Sequence, residues 1–189
     1  MTSVKEFVDG LCRLGEASFT DSGVYGYLRE NPVDPASLAP YLFYTPTHYT
    51  RNLIHKNDLF ELIAICWDVG QSSRIHNHAG QQCWMAAPIG RLAVQNYEVV
   101  HLDSAAGHCE LRAANRLEMD PLQPAHVEQE MPVHAVLNLP EYGQRAVSLH
   151  VYSRPYDRCL VYDLARSSYC EVPLFYDTEF GRPVAAPAS

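Results

Sequence analysis

The chain has no run of about 18 apolar residues, the least that crosses a membrane as a helix, so no membrane span is expected. Basic side chains are the minority: 14 Lys and Arg against 22 Asp and Glu leave a net charge of -8. No basic cluster is visible, which argues against a phosphate-binding face for nucleic acid. None of the cysteines (Cys12, Cys66, Cys83, Cys109, Cys159, Cys170) stands in a Cys-x-x-Cys pair. The opening Met1–Asp9 carries acidic residues where an export signal needs an apolar stretch. Thiols in a cytoplasmic protein are therefore expected, not a disulfide framework. Internal repeats and low-complexity segments are also missing.

What remains is an ordinary globular composition, 47% hydrophobic and 19% charged. A chain of 189 residues is expected to form one domain, burying about two thirds of the surface its unfolded form exposes. Residues 1–42 read as a helical section: Val4, Val8, Leu11 and Cys12 recur at helical spacing, and Asp34-Pro35 looks like an N-cap followed by proline at the first helical position. Residues 43–182 read as a β unit of sandwich or barrel type. Its segments are Leu59 to Trp67, Gln82 to Ala87, Leu92 to Val100, Val133 to Leu139, Ala146 to Tyr152 and Cys159 to Leu164, with turn-like pieces such as Asp68-Val-Gly70 and Pro88-Ile-Gly90 between them. Residues 183–189 read as a frayed tail. The expected assembly is a monomer.

The chemistry concentrates in Gly70-Gln-Ser-Ser-Arg-Ile-His76-Asn-His78-Ala-Gly-Gln-Gln-Cys83. On a strand His76 and His78 lie on one face, and no carboxylate stands beside them. Neutral imidazole suits iron, cobalt, nickel, copper or zinc. His134, near a strand start, is the candidate third ligand. His48, His55, His101, His108 and His126 lie in polar or turn-rich surroundings and are read mostly as solvated. Ser148, His150 and Tyr152 alternate and share a face, where a serine–histidine–tyrosine chain satisfies its own polar atoms. If that face is outward, the same residues are merely solvated. Trp67, Cys66 and Cys159 are read as packing residues.

Gly70, five residues, His76-x-His78, four residues, Cys83, six residues and Gly90 resemble the first cupin motif, with cysteine where cupins usually carry a ligating glutamate. His134, three residues and Asn138 are similar to the second motif. Together with Tyr49-Thr-Arg51-Asn52, Cys66-Trp67, Ser148-Leu-His150-Val-Tyr152-Ser153 and Phe180-Gly181, the chain resembles the cysteine dioxygenase (thiol dioxygenase) family over residues 40–182. The resemblance implies a mainly β fold, a cupin-type jelly-roll barrel with a small N-terminal helical section. It also implies Fe(II) on His76, His78 and His134, with L-cysteine and O2 converted to L-cysteine sulfinate. Arg51 and Tyr49 would bind the substrate carboxylate, Ser148, His150 and Tyr152 would act in catalysis, and a Cys83–Tyr152 thioether would hold the ring. Other thiols, mercaptosuccinate or 3-mercaptopropionate, and a non-catalytic metal-binding cupin stay open, as does zinc with three histidines activating water.

Two departures from the family pattern bear on the substrate. Where the family commonly has Ser-Pro-Pro, with a cis bond before the first proline, this chain has Ser153-Arg154-Pro155, and a non-proline cis bond costs about 2.5–4 kcal/mol. A trans Ser153–Arg154 bond is expected. Arg74, which shares the parity of His76 and His78, and Arg154 either read a second carboxylate of a longer thiol, or are a loop residue and a side chain in water respectively.

Overall fold

The protein is described by a computed structural model over residues 1–121, 125–126 and 133–184. Ser3 caps α1 (Val4–Ser18) by accepting the Glu6 N–H, while the Glu6 carboxylate takes the Ser3 N–H, a reciprocal capping box. Val4, Phe7 and Leu11 form the buried stripe of this helix. Thr20 caps α2 (Asp21–Glu30), which buries Val24 and Leu28. Asp34 does cap the next element, but Pro35–Tyr41 is a 3-10 helix, not an α-helix. Pro40 lies inside it and has no N–H to give to an α-helical ladder.

The strands follow as β1 (Thr50–Lys56), β2 (Glu61–Trp67), β3 (Ile75–His76), β4 (Cys83–Ile89), β5 (Leu92–Asp103), β6 (His108–Met119) and β7 (Ala125–His126). After them come β8 (Val133–Leu137), β9 (Ala146–Tyr152), β10 (Arg158–Asp163), β11 (Ser168–Pro173), β12 (Thr178–Glu179) and β13 (Arg182–Pro183). One sheet runs β13-β12-β1-β2-β9-β4-β7, and β10-β11-β6-β5-β8-β3 closes on itself as a barrel. This is the cupin-type, mainly β architecture with N-terminal helices that the resemblance implies.

The helices cover the outside of the first sheet. Phe7, Leu11, Val24 and Leu38 pack there with Leu62, Ala64, Trp84, Val147, Leu149 and Val151. Residues of opposite parity line a second core inside: Leu53, Ile63, Ile65, Trp67, Cys83, Met85 and Tyr152. Every residue of β9 is buried because it lies between β2 and β4 under the helices. Ser148, His150 and Tyr152 therefore face the interior, not solvent. A β-bulge interrupts the β1–β2 register between Leu53 and His55.

Several expectations need correcting. The twelve-residue strand β6 is not among the expected segments, and β5 runs on to Asp103. Pro183, placed in the tail, pairs with Thr178, while residues 185–189 lie outside the described residues. The Ser153–Arg154 peptide, by contrast, is trans as expected. Among the described residues no helix is long and apolar enough to cross a membrane.

Candidate metal centre

Three imidazoles are brought together by one strand pair and one tight turn. His76 and His134 are direct cross-strand partners of β3 and β8. The chain leaves β3 at Asn77, which is fixed to β10: its N–H donates to the Leu160 carbonyl (3.1 Å) and its Oδ1 accepts the Leu160 N–H (2.9 Å). Ala79 and Gly80 then turn with positive φ, and the Gln81 N–H closes on the His78 carbonyl at 2.9 Å. His78 is thereby held against its two neighbours. Ring centroids are 5.1 Å apart for His76–His78, 4.9 Å for His76–His134 and 4.8 Å for His78–His134. One nitrogen from each ring lies within 4.8 Å of the others.

The hydrogen bonding says what these nitrogens are for. Both ring nitrogens of His78 and both of His134 are buried with no partner, a costly state for polar atoms. His76 Nδ1 is 2.9 Å from the Arg74 carbonyl, which only accepts, so Nδ1 carries the proton and Nε2 keeps its lone pair. A backbone carbonyl orienting a ligating histidine is the usual outer support of a metal site. Burial pushes all three imidazoles down, His76 to about 4, and thereby keeps them neutral and able to ligate. Among the described residues no other group of three candidate ligands gathers, and no carboxylate joins this one. The donor set fits an iron(II) ion with open positions.

A second histidine system lies beside it with every ring nitrogen occupied. Trp67 Nε1 donates to Ser148 Oγ at 2.9 Å. Ser148 Oγ is 2.8 Å from His150 Nε2, and His150 Nδ1 is 3.2 Å from Tyr152 Oη. The Trp67 N–H takes one lone pair of Ser148, whose own proton can then go to Nε2, in the tautomer in which Nδ1–H donates to Tyr152. The tyrosine keeps its own proton free to donate onward. Burial and the neighbouring Cys83 hold the Tyr152 hydroxyl well above its ordinary value. Cys83 and Tyr152 are opposite residues of β4 and β9, with Cys83 Sγ 3.8 Å from His150 Nδ1. Burial also raises the Cys83 thiol, so it stays protonated.

A cavity of about 430 Å³ opens beside His76, lined by Tyr49, Arg51, Arg74, Tyr156, Cys159 and Phe175 among others. Tyr49 precedes β1 and stacks on Trp67 at 4.6 Å. Arg51 is anchored through Nε to the Phe175 carbonyl (3.2 Å), while its Nη2 is buried without a partner. Arg74 is exposed on the same cavity, whereas Arg154 is exposed and does not line it. Cys159, read as a packing residue, is buried but forms part of the cavity wall, and Trp67 is both core and hydrogen-bond donor. Tyr156, which the sequence did not single out, packs edge-on against Tyr152 at 5.1 Å. Only its position two residues after the Ser153-Arg154 break pointed there. Of the remaining histidines, His48 and His101 are exposed and His108 is half-buried. His55, expected in solvent, is half-buried against Phe60, and the His126 side chain lies outside the described residues.

The sequence comparisons agree on one family. The family described as Cysteine dioxygenase type I matches residues 26–165. The chain is similar to cysteine dioxygenase type 1 of Homo sapiens, 29% identical over 149 residues that cover 78% of this chain and 72% of that one. The Danio rerio protein of the same name is 27% identical over 154 residues, covering 81% and 73%. Among solved structures, TT1209 from Thermus thermophilus has a TM-score of 0.48 at 17% identity, over 66% of this chain and 98% of that one.

Proposed function

We propose that this chain, which belongs to the cysteine dioxygenase type I family and is an iron-dependent thiol dioxygenase, converts L-cysteine and O2 to L-cysteine sulfinate. The observation that carries the substrate is Arg51. A buried guanidinium with an unpartnered Nη2, in the cavity that reaches His76, calls for an anionic oxygen. Tyr49 on the same wall adds a phenol hydroxyl.

His76, His78 and His134 would hold the iron. Being neutral, they leave its full charge to attract a thiolate. Iron(II) there supplies a centre at which a thiolate and dioxygen react, both oxygen atoms ending on sulfur. The remaining work is done by protein groups. Arg51 and Tyr49 orient the carboxylate, and with it the thiol. Trp67, Ser148 and His150 fix the Tyr152 hydroxyl, which holds a proton beside the histidines. Tyr156 and the apolar wall of Val161, Leu174 and Phe175 limit water. The Cys83–Tyr152 pairing supports a thioether between Sγ and a ring carbon. Its formation removes one hydrogen from each partner and passes two electrons to dioxygen, and the link would restrict the ring.

A second reading, a thiol with a further carboxylate such as mercaptosuccinate, is favoured by Arg74 on the same cavity. The deciding experiment loads the protein with Fe(II) anaerobically, then follows O2 uptake and product mass for cysteine, 3-mercaptopropionate, mercaptosuccinate and cysteamine. Arg51→Ala should weaken use of cysteine by about 1.5–3 kcal/mol, since a charge-assisted partner is lost. Cysteamine, which has no carboxylate, should lose far less. Equal losses on the two would remove Arg51 as the carboxylate reader.

A further inference from the structure

Glu61 is a fully buried carboxyl that the chemistry above does not use. It opens β2, where the register sets it opposite Tyr152 of β9, itself opposite Cys83 of β4. On its other side it pairs with Lys56 of β1. The bulge between Leu53 and His55 changes the parity of β1, and Arg51 and Lys56 both reach one ring: Arg51 Cζ is 5.9 Å and Lys56 Nζ 5.5 Å from the centre of Tyr176.

The two oxygens of Glu61 are unequal. Oε2 accepts the Tyr176 hydroxyl at 2.5 Å and lies 4.0 Å from Lys56 Nζ. Oε1 is buried with no partner. Arg51 shows the complementary state in its unpartnered Nη2. The groups that act on Glu61 are Tyr176, Arg51 and Lys56, and Tyr152 and Cys83 feel its charge in turn. Burial raises the Glu61 carboxyl, opposed by the Tyr176 hydroxyl and then by the charges of Arg51 and Lys56. Lys56 is partly solvated, so its charge is screened more than that of Arg51.

We propose that Glu61 is a positioning residue that grades the hold of Arg51 on a carboxylated thiol: ionised, it competes with the substrate carboxylate for the guanidinium, and protonated, it leaves Arg51 to the substrate. This rests on Arg51 reading the carboxylate. Linkage demands the converse as well. A carboxylate arriving at Arg51 offsets the positive charge that favours ionised Glu61, so substrate binding draws a proton from solvent onto Glu61.

The test measures KM and kcat of the iron-loaded enzyme for cysteine and cysteamine across the full pH range in which it stays folded, beginning in the ordinary carboxylate range, because burial raises the Glu61 carboxyl from there. The ratio of the two KM values cancels thiol ionisation. In the native protein this ratio should rise with pH as Glu61 ionises. Glu61→Gln, neutral throughout, should flatten it at its low-pH level, about fivefold or more below the native ratio at high pH. The kcat for cysteamine should not move. Tyr176→Phe removes a donor that favours the ionised form, so it should shift the same rise to higher pH. It also decides the matter should Glu61→Gln fold poorly. A rise that survives Glu61→Gln, or that stays in place in Tyr176→Phe, overturns the proposal. If Arg51→Ala is selective for cysteine in that event, only the role of Glu61 fails; if it is unselective, the reading of Arg51 fails first.

Discussion

Four histidines face the interior of this barrel, and burial depresses all four, yet they fall into two kinds. His150 has both ring nitrogens engaged, by Ser148 and Tyr152. His78 and His134 have neither engaged, and His76 has only Nδ1. Burial and a lowered pKa are common to both kinds and so do not distinguish a ligand from a positioning group. Hydrogen-bond satisfaction does. A buried imidazole with idle lone pairs carries a desolvation cost that only a ligand recovers, whereas a saturated one has its role inside the protein.

The contrast predicts opposite consequences for the same substitution. His134→Ala should lose iron and lower O2 uptake by about 100-fold or more, since losing even outer support of a ligand costs about 10–100-fold. Iron added anaerobically should raise the melting temperature of the native protein and not that of this variant. A fully loaded, active His134→Ala protein would end the three-ligand assignment. His150→Ala should retain iron but strand the Ser148 and Tyr152 hydroxyls, destabilising the iron-free protein by about 1–3 kcal/mol in denaturant titration and slowing turnover. Should it lose iron as completely as His134→Ala, the two kinds of histidine collapse into one. The smallest effect on turnover belongs to Trp67→Phe, which removes the N–H at the end of the chain and leaves a cavity where the larger indole packed. About 1–3 kcal/mol of stability should go, with iron content unchanged.

Much of this arrangement was legible in the residues. His76-x-His78 and the alternation of Ser148, His150 and Tyr152 are local patterns, and strand parity carries them to one interior. Strand β6 was overlooked although Cys109, Leu111 and Ala113 alternate with Glu110 and Arg112, and Leu117 and Met119 with Arg116 and Glu118; the strand is mostly exposed, and Asn115 interrupts the alternation in its middle. Glu61 lay inside the expected segment Leu59 to Trp67 and was not singled out. Its burial depends on the register with β9 and on a bulge in β1, and neither leaves a trace in a single sequence. Tyr156 and Tyr176 sit on connecting segments, where position is set by contacts distant in the chain. The 3-10 geometry at Pro35–Tyr41 turned on Pro40, a signal present but outweighed by the cap that precedes it.

Strand β3 is only two residues long, and it is the piece that joins β8 to β10 and completes the barrel wall. One of those two residues is His76, and its partner across the seam is His134. An ion gripped by both therefore acts as a rivet through a joint of the wall that rests on a single residue pair. Loading the centre and locking the barrel shut become a single mechanical event, and the same atoms that prepare the reaction also decide how firmly the vessel around it is closed.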